Sequence, residues 1–170
     1  MRRRTSFPYL ITALLLTACA SPYAAVRPPA PELTEALGLV NDARQAGATC
    51  GSTVYPPGGA SLSWNRNLGK AAENHSEDMQ AAGQLTHITP AGAIHYPPGT
   101  TFSQRAKQEG YQGSPVGENA AYGFSSATAV VGAWLASPGH CRNMMNPNAD
   151  EIGIGRAGSY WTEVFGRSSP

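Results

Sequence analysis

Three residues of chemically useful type stand apart in the chain: His87 after Leu85-Thr86, Glu118 within Gly117-Glu118-Asn119, and His140 within Ser137-Pro138-Gly139-His140-Cys141. Imidazole trades a proton near neutral pH, and a carboxylate beside it can orient or neutralise it. Their spacing does not unite them, but each falls in a loop or at the end of an element, where polar side chains usually serve a site. Familiar local signatures are missing: the sequence has no Walker loop, no HExxH, no CxxC and no GxSxG elbow. Gly153-Ile154-Gly155-Arg156-Ala157-Gly158 matches the dinucleotide-binding pattern by letters alone. A strand-like segment follows where a helix must receive the pyrophosphate, so it reads as a hairpin turn.

The elements that must position these residues follow from periodicity. Residues 32–47 carry Leu33, Ala36, Leu37, Val40 and Ala43 at helical spacing with Gly47 as a stop, which predicts a first amphipathic helix. Residues 48–64 read as a loop through Pro56-Pro57-Gly58-Gly59 to Leu62 and Trp64. Asn65 caps a second helix whose stripe is Leu68, Ala72, His75, Met79 and Ala82 before Gly83. On that stripe His75 is expected to be a core histidine with a hydrogen-bond partner. Residues 84–100, with His87 and His95, read as loop. A third helix is expected over about Thr101 to Glu109, and a fourth from Ser125 or Ser126 through Val130, Val131, Trp134 and Leu135, stopped by Pro138-Gly139. Alternation from Ile152 to Phe165 around Ala157-Gly158-Ser159 predicts a β-hairpin, with a further strand around Asn119 to Phe124. Four helices with a small antiparallel sheet make an α+β domain.

The chain has 170 residues, of which nineteen are Gly and fourteen Pro, and 14% are charged. That is one domain, too apolar for disorder and without a run of twenty apolar residues. Arg2, Arg3 and Arg4, then an apolar stretch from Phe7 to Leu16, have the layout of an export signal over residues 1–18. Leaving those arginines out, nine basic residues face eleven acidic ones, so no basic face is left for nucleic acid. Leu16-Thr17-Ala18-Cys19 resembles a bacterial lipobox, in which Cys19 is lipidated and anchors the mature chain to a membrane. The alternative is an ordinary cleavage after Ala18 or Ala20. Residues 19–31 are rich in Pro and Ala and read as a tether, leaving 32–170 as the domain. With Cys19 assigned to lipid, Cys50 and Cys141 remain as an even pair in an oxidising compartment, where a disulfide is the natural reading and two buried thiols the alternative.

Taken in order, the segments from Trp64 to Met79, Leu85-Thr86-His87, Gly117 to Gly123, Trp134 to Asn143, and Glu151 to Gly155 followed by Ser159 to Gly166 resemble the CAP superfamily. This superfamily comprises cysteine-rich secretory, antigen 5 and pathogenesis-related class 1 proteins, and the likeness is to its exported bacterial branch, over residues 33 to 166. The resemblance implies an α-β-α sandwich and a cavity lined by two histidines and two glutamates. His87, Glu118 and His140 match three of those positions. The second glutamate has no counterpart, because only Leu135 to Gly139 separate Trp134 from His140. Two imidazoles and a carboxylate suit a divalent ion such as Zn²⁺, with bound water as a nucleophile. The alternative is a hydrogen-bonded cluster that ties three loops together.

These readings favour a lipid-anchored cell-envelope binding module over an enzyme. Its ligand would be a small molecule, a lipid, a cell-wall component or a protein, held around His87, Glu118 and His140. A metal-assisted peptidase or nuclease is the second reading, and lipid or sterol carriage rests on family analogy alone. With Ala20 and no Asp beside Cys19, retention at an inner membrane is not signalled, which places the protein facing the periplasm, on the outer membrane where there are two.

Overall fold

The computed structural model describes residues 29–170. The expected export signal, Cys19 and most of the expected tether lie outside the described residues. Five helices and six strands follow one another as α1 (Pro31–Ala46), β1 (Ala48–Cys50), β2 (Thr53–Tyr55), β3 (Ser63–Trp64), α2 (Arg66–Ala82), α3 (Phe102–Gln108), β4 (Ser114–Tyr122), α4 (Ala127–Ala136), α5 (Pro138–Met144), β5 (Glu151–Ala157) and β6 (Tyr160–Arg167). The expected α+β class holds, with three differences of detail. A fifth helix begins where a stop was expected, because Pro138 sits at its first position, where the missing N–H costs nothing. Residues 48–64, read as loop, hold the small antiparallel hairpin β1–β2 and the two-residue strand β3. The main sheet is mixed and not purely antiparallel: its order is β3-β5-β6-β4, and β3 runs parallel to β5.

Helices cover both faces of this sheet. On one side Ala36 and Val40 of α1 and Val130, Val131 and Trp134 of α4 pack on Ile152, Ile154, Trp161 and Phe165. On the other, Leu68, Ala71 and Ala72 of α2 and Ala106 of α3 pack on Val164. The glycines of the false dinucleotide signature explain how α2 comes so close. A Cβ on Gly153 would lie 1.9 Å from the Gly69 nitrogen, and one on Gly155 would lie 2.1 Å from the Glu73 nitrogen. Ile152 and Ile154 thus fill one face of β5 while the bare backbone between them receives α2, and Gly153→Ala would force the helix off the sheet. At its start α2 is capped as expected, the Asn65 Oδ1 accepting from the N–H groups of Asn67 and Leu68. At its end Gly83 takes the left-handed conformation that other residues avoid.

The expected disulfide is present, joining Cys50 to Cys141 with their Cα atoms 5.4 Å apart. It fastens the end of β1 to α5, one residue beyond His140.

Candidate functional site

Strand β4 lies at the edge of the sheet and carries Glu118 in its middle, opposite Val164 of β6. Successive strand residues point to opposite faces. Glu118 therefore faces α2 and α3, and Asn119 faces the side on which α5 lies. Two neighbouring residues thus serve two different walls of one site.

On the first wall the Glu118 carboxylate is fully engaged. Its Oε1 lies 2.9 Å from His87 Nδ1, and its Oε2 accepts a 2.6 Å hydrogen bond from the Arg105 Nη2 group. Arg105 and Glu118 are closed to water, whereas the His87 side chain is 56% exposed. Arg105 also donates to the His87 and Thr100 carbonyls and to Thr89 Oγ1. One guanidinium therefore both neutralises the buried acid and fixes the backbone that carries the imidazole, a role suited to its planar fork of donors. Asp78 adds to this by accepting from the backbone N–H groups of Ile94, His95 and Tyr96. His75 is wholly buried on α2 and its Nε2 donates 2.8 Å to the Thr86 carbonyl, as expected of a core histidine. His95 lies apart from the site, its Nε2 hydrogen-bonded to Glu77.

On the second wall Asn119 Nδ2 donates to the His140 carbonyl and to Glu163 Oε2, and Asn143 Nδ2 donates to the Glu118 carbonyl and to Asn119 Oδ1. These bonds hold α5, and with it His140, against the edge strand. Glu163 is completely buried, its Oε1 finds no partner among the described residues, and burial pushes its pKa up to about 8.

The two imidazoles differ electrically. His87 holds its proton above the usual range because Glu118 accepts its hydrogen bond. His140 is pushed below that range, first by burial and then by the nearby charge of His87. Glu118 thus favours the protonated form of His87, while burial favours the neutral form of His140.

His87, Glu118 and His140 are not gathered as one metal set. Among the described residues no three His, Cys, Asp or Glu side chains are placed to hold a metal ion. Both oxygens of Glu118 are already engaged, one of them by a guanidinium cation, and the proton favoured on His87 competes with a metal. The arrangement does not fit a three-ligand zinc centre. It is closer to a hydrogen-bonded cluster that joins the 84–100 loop, β4 and α5.

Sequence reasoning missed Arg105 and Glu163. Arg105 had a signal: it shares a helix face with Phe102 and Ala106, and an arginine on an apolar face needs an acid. Glu163 had none, since alternation along β6 is uninformative when both faces are covered.

Residues 37–165 match the family described as the cysteine-rich secretory protein family, CAP. The chain is 35% identical over 106 residues to the uncharacterized protein YkwD of Bacillus subtilis, covering 61% of this chain and 38% of that protein. It is 28% identical over 106 residues to the uncharacterized membrane protein YlbC of the same organism, covering 62% and 29%. The chain thus spans well under half the length of these curated relatives. Among solved structures, an extracellular protein containing an SCP domain from Bacillus anthracis superposes with a TM-score of 0.62 at 24% identity, covering 83% of this chain and 45% of that one. An outer surface protein of Borrelia burgdorferi superposes at 0.61 and 22% identity, covering 81% and 93%. Both share the fold. With the family matched across the sheet, the 84–100 loop and α5, the chain belongs to the cysteine-rich secretory protein (CAP) family.

Proposed function

We propose that this chain is a lipid-anchored CAP domain of the bacterial cell envelope that binds a ligand between His87 and His140. The observation that carries the reading is the geometry of His87. Its Nδ1 is held by a water-excluded acid–arginine pair, while more than half of the side chain is open to solvent and its Nε2 makes no hydrogen bond among the described residues. An imidazole so fixed costs little further ordering when a ligand meets it. The anchoring part rests on the Leu16-Thr17-Ala18-Cys19 motif, and the envelope location agrees with the extracellular and outer-surface proteins that share the fold. A metal-assisted hydrolase is supported less well, because the Glu118 carboxylate is occupied by Arg105 and His87.

The test is to extract the full-length protein from its native envelope, as wild type and as the His87→Ala/His140→Ala double variant, and to identify by mass spectrometry what accompanies each. A component held by the wild type and lost from the variant supports the reading. Identical accompanying material overturns it. If added Zn²⁺ switches on hydrolysis of generic peptide or nucleic-acid substrates in the wild type alone, the hydrolase replaces the binding module. Mass analysis of the mature N-terminus decides the anchor, and an unmodified terminus beginning at Ser21 removes it.

A further inference from the structure

The large apolar side chains left in solvent are not spread evenly. Leu85, Ile88 and Ile94 belong to the loop after α2 and are 49%, 45% and 66% exposed, and Tyr122 at the end of β4 is 57% exposed. Only Val54, 70% exposed among the described residues, lies elsewhere, on the hairpin that follows the far end of α1.

A chain of contacts puts Leu85, Ile94 and Tyr122 at one end of the domain, the end at which α1 begins, while Ile88 lies nearer the candidate site, beside the His87 that meets Glu118. Glu32 in the first turn of α1 pairs with Arg156, whose Nε donates 2.8 Å to the Gly158 carbonyl in the β5–β6 turn. Gly158 rests on Gln80 in the last turns of α2. Beside that turn the Gly123 N–H donates to the Ser159 carbonyl, and the Tyr122 and Tyr160 rings stack with centroids 4.5 Å apart. The loop carrying the aliphatics wraps the same end of α2, with the Gln84 N–H on the Met79 carbonyl, Gly92 against Ala82, and the Ile94 N–H on Asp78. Asp78 and Arg105 fix this loop's backbone, so its aliphatic side chains are held out and cannot fold back to cover themselves.

We propose that this end of the domain lies against the membrane surface, with Ile94, Leu85 and Tyr122 entering the boundary between headgroups and acyl chains. The proposal rests on the reading of Cys19 as the lipid anchor. Cys19 is twelve residues before Pro31, the first residue of α1. Twelve residues span at most about 37 Å even in the extended form that prolines favour, so the end of the domain at which they enter stays within that distance of the bilayer. The end held nearest the bilayer is the one at which the tether enters, and there Leu85, Ile94 and Tyr122 are exposed. Their chemistry fits the interface, where aliphatic groups and the amphipathic Tyr ring are both favoured. Acids at this end are engaged, Glu32 with Arg156 and Glu77 with His95, and among the described residues no basic cluster accompanies them. The contact is accordingly apolar and insensitive to salt.

The test uses the full-length lipoprotein in phosphatidylcholine vesicles whose acyl chains carry bromine, which quenches tryptophan by contact. Ile94→Trp and Val54→Trp replace side chains of similar exposure, and the emission each adds over the wild type is measured. Insertion by about 5–10 Å brings the new ring at position 94 to the bromine, so its added emission should be quenched at least about twofold more than that at position 54. High salt should leave this difference unchanged. Equal quenching in a chain whose N-terminus is lipidated overturns the orientation and leaves the anchor standing. Loss of the difference in high salt overturns the apolar contact. An unmodified N-terminus removes the tether and overturns both. If the emission added by Ile94→Trp changes with protein concentration without vesicles, the face belongs to a second copy of the chain instead.

Discussion

Arg105 and Glu118 form an ion pair, Nη2 to Oε2 2.6 Å, from which water is excluded on both sides. Removing one partner of such a pair strands the other, at a cost of about 3–5 kcal/mol. Arg105→Leu should destabilise the domain by that order and release the 84–100 loop, which loses three further hydrogen bonds. Arg105→Leu with Glu118→Leu should cost less than the sum of the single changes, because no lone charge remains. Urea unfolding of the four proteins measures this, and additive losses would show that the pair does not hold the site together.

The two site histidines should titrate apart. Glu118→Gln should lower the pKa of His87, since the hydrogen bond to Glu118 is what raises it. His87→Ala should raise that of His140 only in part, because burial is the larger cause of its depression. For His87 the folded value lies above the unfolded one, so its contribution to stability is complete below about pH 6.5 and is lost as pH rises through the folded value. Ring-proton NMR across pH 5 to 9 gives both values, and two histidines titrating together would contradict these opposite shifts.

The site was legible where a residue type announces itself and illegible where burial decides. His87, Glu118 and His140 stood out because polar side chains in loops are informative. Their mutual placement was not readable, since β4, α5 and the 84–100 loop meet only through long-range pairing. Arg105 looked like an ordinary helix arginine, and its importance comes from lying 0% exposed beside an acid thirteen residues away. Asn65, Gly83 and the stripe from Leu68 to Met79 marked α2 almost to the residue, because caps and periodicity are local. Pro138-Gly139 misled for the converse reason: a proline both ends one helix and starts the next, and Ser137 serves as cap to each.

The Cys50–Cys141 bridge spans 91 residues, for which loss of unfolded-chain entropy gives roughly 4 to 5 kcal/mol of stabilisation. Thiol titration of the unfolded, unreduced domain should find neither cysteine reactive. Reduction should lower the melting temperature and, because Cys141 is adjacent to His140 on α5, broaden the His140 ring signals more than those of His75. Equal broadening would mean that α5 is held by Asn119 and Asn143 without help from the bridge.

Glu163 should make stability fall as pH rises from about 4.5 to about 8. Its folded pKa of about 8 lies above the ordinary glutamate value of 4.5, so between those limits the folded state keeps a proton that the unfolded state releases. The Glu163 contribution is therefore greatest below about pH 4.5, declines through neutrality and levels off above about pH 8. Glu163→Gln keeps a neutral side chain of nearly the same shape, able still to accept from Asn119 Nδ2. The variant should gain on the wild type steadily from pH 5 to pH 8 and hold a constant advantage beyond, as read from urea midpoints at fixed ionic strength. Because Asn119 also holds the His140 carbonyl, the wild type alone should show His140 signals that broaden as pH passes 8. A stability difference independent of pH would mean that Glu163 is already ionised in the fold, and that Asn119 is not the group through which its charge reaches the site.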